Sequence, residues 1–342
     1  MSIIDIKKLR KDFTQSKRKT GFLNYIRSLF HQEYETVHAV HEISFSIKPG
    51  EFVGFLGPNG AGKTTTLKML SGILFPTSGD VTVLGHTPSK REPNFQRRFS
   101  LIMGQKNQMW WDLPVIESFL FNKEIYEIPD ALFKEQKKLL CELLDIEDLL
   151  NKPVRKLSLG ERMKCELATA LLHKPEILFL DEPTIGLDVV SQKRIRDFLL
   201  EYNKVHGATI ILTSHYMEDI RRLCERVIII DHGKLIYDGS YNELTNRYAD
   251  TKTIEVSFRQ PIEESELKKL GKVIEYAHAS ARISVSRKDI TGVTTKLLEL
   301  PIEDISIQEE SMEEIVREIF TKPNNQITNN SNNQTIAENN RT

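Results

Sequence analysis

The stretch Gly57-Pro58-Asn59-Gly60-Ala61-Gly62-Lys63-Thr64-Thr65 constrains this chain more than any other. It fits the pattern GxxxxGK[ST] in full, and it lies between an apolar run, Glu51–Leu56, and a helix-forming run, Lys63–Leu70. Glycines let successive backbone N–H groups aim inward, and the helix start adds favourable partial charge, so the segment is built to cradle phosphate. In that reading Lys63 reaches the outer phosphates and the Thr64 hydroxyl binds Mg²⁺. The competing reading, a glycine-rich turn without a ligand, leaves the strand–loop–helix context unexplained.

Two later segments narrow the chemistry. Ile177-Leu178-Phe179-Leu180 is apolar and runs into Asp181-Glu182. Charges at the end of a buried parallel strand point into the crevice where ligands bind. Asp181 is the candidate to hold Mg²⁺, directly or through water, and Glu182 the candidate to polarise an attacking water. A solvated strand end before Pro183 is the alternative. Between the loop and this strand lies Leu157-Ser158-Leu159-Gly160-Glu161, which opens a helical stretch.

Composition excludes several classes. The chain has 342 residues, long enough for one large domain and one small one, and its formal charge of −1 gives no basic field for nucleic acid, so no nucleic-acid partner is expected. Cys141, Cys165 and Cys224 are far apart and match neither metal-ligand nor disulfide spacing, which points to a reducing, cytosolic compartment. The start carries Asp5 and no long apolar core, unlike a signal peptide. The apolar runs Ile177–Leu180, Ala208–Leu212 and Val227–Ile230 fall well short of the roughly twenty residues of a membrane span. If the protein works at a membrane, another polypeptide supplies the span.

Strand and helix signals alternate as far as about residue 248, which predicts an α/β domain. Strands are expected at Val81–Leu84, Phe99–Met103, Ile177–Leu180 and Ala208–Thr213, and a closing hairpin at Arg226–Asp231 and Lys234–Asp238. Helices are expected at Pro114–Tyr126, Ala131–Leu144, Leu159–His173, Val189–Lys204 and Tyr216–Cys224. Residues 250–321 read as a small α+β domain, with helices at Glu263–Leu270, Ile290–Leu300 and Met312–Phe320 and four short strands. Residues 322–342 are rich in Asn and predict a disordered tail.

The ordered set of phosphate loop, LSLGE segment, Asp181-Glu182 strand, Gly186-Leu187-Asp188 turn and Thr213-Ser214-His215 resembles the ATP-binding cassette (ABC) ATPases, over about residues 3–245. The resemblance implies a P-loop ABC ATPase fold: a mixed sheet core, an antiparallel β subdomain and a helical subdomain at about 107–165. It implies ATP and Mg²⁺ as ligands and hydrolysis of ATP to ADP and phosphate. Gln105 resembles the family's glutamine loop and would join Mg²⁺ and water to the helical subdomain. His215 would contact the γ-phosphate. Ser158 and Gly160 would cap the ATP of a second ATPase domain in trans, and Asp188 would link the two sites. The adenine-stacking aromatic usually follows the first strand; Phe13 is the candidate, with Tyr34 and Phe22 competing and a plain core role as the alternative.

The signature departs from the usual LSGGQ at Leu159 and Glu161. Leu159 adds a side chain where backbone approaches nucleotide. Glu161 puts a carboxylate near phosphate, which weakens closure unless Arg162 or Lys164 offsets it. Trp110-Trp111 falls where family members meet a membrane subunit; core tryptophans are the other reading, with unequal burial of the two expected. Residues 14–36 form an insertion, basic at Lys17-Arg18-Lys19, with Phe22, Ile26 and Leu29/Phe30 on one helical face, fit for a lipid surface, a permease or the chain's own sheet. WWDLPVIESF, the insertion and EDISIQEESMEEIVREIF resemble ATPase subunits of type-2 ABC export systems. That implies a multi-span membrane permease as partner, a homodimer or a heterodimer with a related ATPase, and a place on the cytoplasmic face of the cell membrane. A soluble mechanical ABC ATPase acting on ribosomes or DNA is the alternative.

Overall fold

A computed structural model of the chain describes residues 2–16, 34–104, 106–214, 216–248, 251–309 and 315. The chain forms two compact units, Met1–Gly239 and Ser240–Thr342.

The first unit is organised by its apolar strand runs. Strands β3 (Phe52–Leu56), β5 (Phe99–Met103), β6 (Ile177–Asp181), β7 (Thr209–Thr213), β8 (Arg226–Asp231) and β9 (Lys234–Ser240) make one sheet in the order β5-β6-β7-β3-β8-β9. From β5 to β8 every pairing is parallel. Strands β3 and β7 are buried along their whole length, as expected for a parallel sheet covered on both faces. Parallel registry brings the C-terminal ends of β3, β6 and β7 to one edge. β9 returns beside β8 through His232-Gly233, both at positive φ (45° and 74°), a two-residue hairpin turn.

A second sheet is antiparallel, in the order β2-β1-β4, from β1 (Ile4–Ser16), β2 (Tyr34–Ile47) and β4 (Ser78–Val83). Its inner face carries Ile4, Ile6, Leu9, Val40, Ile43 and Val81, which pack with Phe55, Phe95 and Phe179 in a common core. Register shifts interrupt the β1–β2 pairing, and Lys8 and Glu42 sit at positive φ (47° and 53°). The β1–β2 ladder also takes in Thr14 to Ser16 paired with Tyr34 to Thr36, so both ends of the predicted insertion are strand, because ladder pairing continues past the buried part of the sheet. The predicted amphipathic helix, with Phe22 and Phe30, lies outside the described residues.

Helices α1 (Lys63–Leu70), α2 (Val115–Ile125), α3 (Asp130–Leu144), α4 (Leu159–Leu171), α5 (Val189–His206) and α6 (Met217–Leu223) follow the expected positions to within two residues at each end. α2 and α3 each pack against α4, and Phe119, Phe133, Leu140 and Leu167 of these helices are buried.

In the second unit α7 (Tyr241–Tyr248) precedes β10 (Thr251–Phe258), a one-turn helix α8 (Glu264–Leu267), β11 (Lys272–Ala277), β12 (Ser280–Ser286), α9 (Ile290–Leu298) and β13 (Ile302–Glu309). Its antiparallel sheet runs β11-β12-β10-β13. Ile254, Val256, Ile283 and Val285 form one core with Leu267, Val293 and Leu297. The helix expected at Glu263–Leu270 shortens to one turn because Leu267 is its one fully buried side chain. The helix expected at Met312–Phe320 and the Asn-rich tail lie outside the described residues, Ile315 excepted.

Phe179 is fully buried in β6 and packs on Phe99, ring centroids 5.8 Å apart. Phe179→Ala is therefore expected to destabilise the first unit by about 3–5 kcal/mol, read as a lower urea midpoint at unchanged slope.

Candidate active site

The loop between β3 and α1 is shaped by close backbone approach. At Gly62 (φ 104°) a Cβ would run into the carbonyl oxygen of Ala39 in β2, and at Gly57 into that of Ile230 in β8. Ala61 holds the loop through two main-chain bonds: its N–H donates to the Pro58 carbonyl (3.1 Å) and its carbonyl accepts from Gly233 N–H (3.1 Å). No side chain caps α1 at Gly62, and the first-turn N–H groups have no carbonyl partner within their own helix. Lys63 is buried, and its Nζ donates to the carbonyls of Gly57 (2.6 Å) and Pro58 (3.1 Å). Burial pulls the ammonium below its ordinary range, and Glu182 and Asp181 pull it back up. An uncapped helix start beside a desolvated cation fits a chain of phosphate oxyanions.

Asp181 closes the other side. Its Oδ2 accepts from the Thr64 hydroxyl (2.7 Å) and its Oδ1 from the Thr213 hydroxyl (2.7 Å). One carboxylate thus ties the end of β6 to the start of α1 and the end of β7. The Thr64 hydroxyl and the Asp181 carboxylate are hard oxygen donors in contact, a pair that suits Mg²⁺. Glu182, the next residue, has φ +56°, a left-handed conformation costly for a side chain with a Cβ. Its N–H donates to the carbonyl (3.0 Å) and hydroxyl (3.1 Å) of Thr213, and the chain turns out of the sheet there.

A buried charge network lies under these loops, and sequence reasoning missed it. Asp219 of α6 is fully buried and accepts from Arg196 of α5 (2.7 Å) and from the hydroxyls of Thr184 and Ser214. Thr184 follows Glu182 by two residues, and Ser214 precedes His215. The signal available in the sequence was an acid inside the short helix after Thr213-Ser214-His215, with an arginine on the helix after Asp188.

Ser158 and Glu161 form a capping box at the start of α4: Ser158 N–H donates to Glu161 Oε2 (2.8 Å) and Glu161 N–H to Ser158 Oγ (3.2 Å). This N–H, more than any lysine, holds the Glu161 carboxyl below its ordinary range. The expected offset by Arg162 or Lys164 takes another form: Lys164 Nζ donates to the Asp145 carbonyl (3.0 Å), and Arg162 faces Glu166 and Trp111. Gly160 is required by packing, since a Cβ there would run into Ser191 Oγ. Asp188 caps α5, accepting from the N–H groups of Val190 and Ser191.

Phe13 lies half-buried in β1 opposite Val37, with Lys11 Nζ 5.2 Å from its ring centroid. Lys11 in turn pairs with Val40, the residue beside Gly62, so the register brings this strand near the loop. Trp110 and Trp111 are 51% and 49% exposed, so neither is a core residue and the expected unequal burial does not hold. Gln105 and His215 lie outside the described residues.

Comparison with known proteins identifies the family. The family model described as ABC transporter matches residues 40–185, and one described as EvrA-like ABC transporter, C-terminal domain, matches residues 250–308. ABC transporter ATP-binding protein NatA of Bacillus subtilis is 34% identical over 215 residues, covering 63% of this chain and 87% of that protein. The chain belongs to the ATP-binding proteins of ABC transporters. Linearmycin resistance ATP-binding protein LnrL of Bacillus subtilis is 34% identical, covering 64% of this chain and 70% of that one. Nod factor export ATP-binding protein I of Cupriavidus metallidurans is 35% identical, covering 64% and 71%. Among solved structures, cbiO1 from Clostridium perfringens, part of the cbiONQ complex, aligns with a TM-score of 0.58 at 25% identity over 72% of this chain and 94% of that one. As a member of this family the protein is an ATPase.

The Arg196–Asp219 pair is buried on both sides, so breaking it leaves a charge without its partner. Asp219→Ala is expected to destabilise by about 3–5 kcal/mol, and a double apolar replacement of both residues by less than that single change. Urea unfolding of the two variants beside the parent protein gives the comparison.

Proposed function

We propose that this chain is the ATP-hydrolysing subunit that energises a separate multi-span permease of an export system, from the cytoplasmic face of the membrane. The observation that carries the reading is the joining of Thr64, at the start of the phosphate-loop helix, to Thr213, at the end of β7, through the two 2.7 Å bonds of Asp181, with Lys63 and Glu182 next to them in the chain. Export is supported by what relatives are called, a Nod factor export protein and a linearmycin resistance protein among them. Among the described residues no helix is long and apolar enough to cross a membrane, which agrees with a permease on another chain.

In this reading Gly57 to Thr65 receive the phosphates of ATP on backbone N–H groups, and Lys63 turns from its two carbonyls to the outer phosphates. Thr64, Asp181 and Gln105 hold Mg²⁺, which neutralises charge on the phosphates when bound. Glu182 takes a proton from the attacking water; its strained backbone is fixed by Thr213, so the carboxylate is set before substrate arrives. His215 senses the γ-phosphate, and Phe13 stacks on adenine. Ser158 and Gly160 of a second ATPase domain complete the site in trans, in a homodimer or in a heterodimer with a related ATPase. One chain carries both halves, so a homodimer has two equivalent composite sites.

Permease contact is assigned to the loop at Trp110 and Trp111. Leu113, Leu120, Phe121 and Ile125 are also 40–53% exposed, and Trp110 stands edge-on to Phe121 with centroids 5.3 Å apart. Clustered exposed aromatics are the residues that anchor protein interfaces.

Glu182→Gln should lower ATP turnover by about 10²-fold or more while ATP still binds. With ATP and Mg²⁺ the same variant should double in mass by light scattering; a species that stays monomeric counts against the composite site. Trp110→Ala combined with Trp111→Ala should abolish recovery of a multi-span protein in pull-downs from solubilised membranes, with nucleotide affinity unchanged.

A further inference from the structure

The helix that starts at the Ser158 cap carries a second carboxylate, one that the proposed chemistry does not use. Glu166 of α4 is 2% exposed, and among the described residues neither of its carboxylate oxygens has a side-chain hydrogen-bond partner. It lines a recess of about 100 Å³ with Ser100 of β5, Gln108 of the following loop, Asn122 and Tyr126 of α2 or just beyond it, and Thr169 of α4. Buried carboxylates in native proteins are almost always hydrogen-bonded by side chains or main chain, so one without a side-chain partner calls for a cause.

The neighbouring charge is Arg162, one turn back on α4. Its Nε stands 3.7 Å from Glu166 Oε1, close enough for attraction and too far for a hydrogen bond, and that Nε is also unpartnered. The same guanidinium lies 5.8 Å from the Trp111 ring centroid. Arg162 is thus shared between a carboxylate and an aromatic ring.

Burial pushes the Glu166 carboxyl up to about 7, against the pull of Arg162 and of the Gln108 main-chain N–H. The groups around it keep their charge near neutrality. Tyr126 is raised by burial and stays a neutral phenol. His173, stacked on Tyr126 and 3.4 Å from Ser100 Oγ, is lowered by burial to about 4 and stays neutral. The recess-lining side chains from β5 and its loop do not titrate, and α3 and α5 line none of it.

We propose that Glu166 is a proton-operated latch between the helix bearing Ser158 and the Trp110–Trp111 loop. Ionised, the carboxylate draws Arg162 back toward α4. Protonated, it releases that pull, and the guanidinium settles on the Trp111 ring. Where that loop is the permease contact, which rests on the function proposed above, protonation alters how firmly the ATPase helix grips the docking surface.

The sequence contains two tryptophans, Trp110 and Trp111, so fluorescence excited at the red edge, where tyrosine does not absorb, reports this loop alone. The test takes the full chain carrying Trp110→Phe, without permease, and titrates it from about pH 5.5 to about pH 8.5, the span in which a carboxyl with a pKa near 7 changes charge. One sigmoidal change in Trp111 emission centred near pH 7 is expected, and Glu166→Gln should abolish it at unchanged circular dichroism. A flat titration of the parent, or the same step persisting in Glu166→Gln, overturns the latch. Should Glu166→Gln fail to fold, Glu166→Asp replaces it; its shorter reach must move the midpoint, and an unmoved midpoint overturns the proposal. No permease is present, so failure here leaves the transporter reading standing, and loss of the permease pull-down leaves the latch standing.

Discussion

The arrangement of this site hangs on one carboxylate. Asp181 takes a hydroxyl hydrogen bond on each oxygen, from Thr64 on one side and Thr213 on the other. Strand register makes this possible: Asp181 pairs with Met103 of β5 and with Thr213 of β7, so it stands level with its neighbours at the sheet edge. Four apolar residues before it are fully buried, so a slip by one position would turn Asp181 to the other face and carry a charged strand end into the apolar interior. Hydrophobic burial thereby sets the position of a charged group to within a hydrogen bond. The strain at Glu182 follows from the same anchoring, since its N–H is held by Thr213 while the chain must leave the sheet.

A second layer lies beneath the first. Asp219 gathers Thr184, Ser214 and Arg196, residues from the turn after Glu182, the end of β7 and helix α5. Such a pair is weak evidence for stability, because desolvation opposes the attraction. Its contribution is geometric: two loops that border the phosphate site are tied to the same buried anion, and neither moves without disturbing the other.

What the sequence revealed depended on how local the physics was. The phosphate loop was legible because glycine, lysine and threonine act within nine consecutive positions. Parallel strands such as β3 and β6 were legible because burial on both faces makes them uniformly apolar. β1 was less so: Lys7, Lys8, Arg10 and Lys11 blur its alternation, and the shifts around Lys8 break the period of two. Asp219 and Arg196 were legible singly, as an acid and an arginine on two helices, but not as a pair, because only tertiary folding brings them together. Glu166 carried no signal at all, since a glutamate on a helix is ordinarily solvated. Gln105 and His215 were named from the family pattern alone.

The signature shows how a departure from a family pattern can be absorbed locally. Counted as a bare charge, Glu161 opposes any phosphate brought to the start of α4. In the structure that charge is engaged by the Ser158 N–H at the positive end of its own helix, which explains why its carboxyl is held ionised. The same bond fixes Ser158, because the two residues cap each other, and Leu159 projects partly into solvent near Gly186. An acid at this position therefore stiffens the helix start that it would otherwise repel ligand from. The two effects act on the same turn of α4 in opposite directions: rigidity favours a preformed phosphate-capping edge, and residual charge disfavours its approach to phosphate. Which one governs turnover depends on how far the Ser158 N–H screens the carboxylate, and a bond of 2.8 Å from a helix N-terminus is among the stronger screens a backbone can offer.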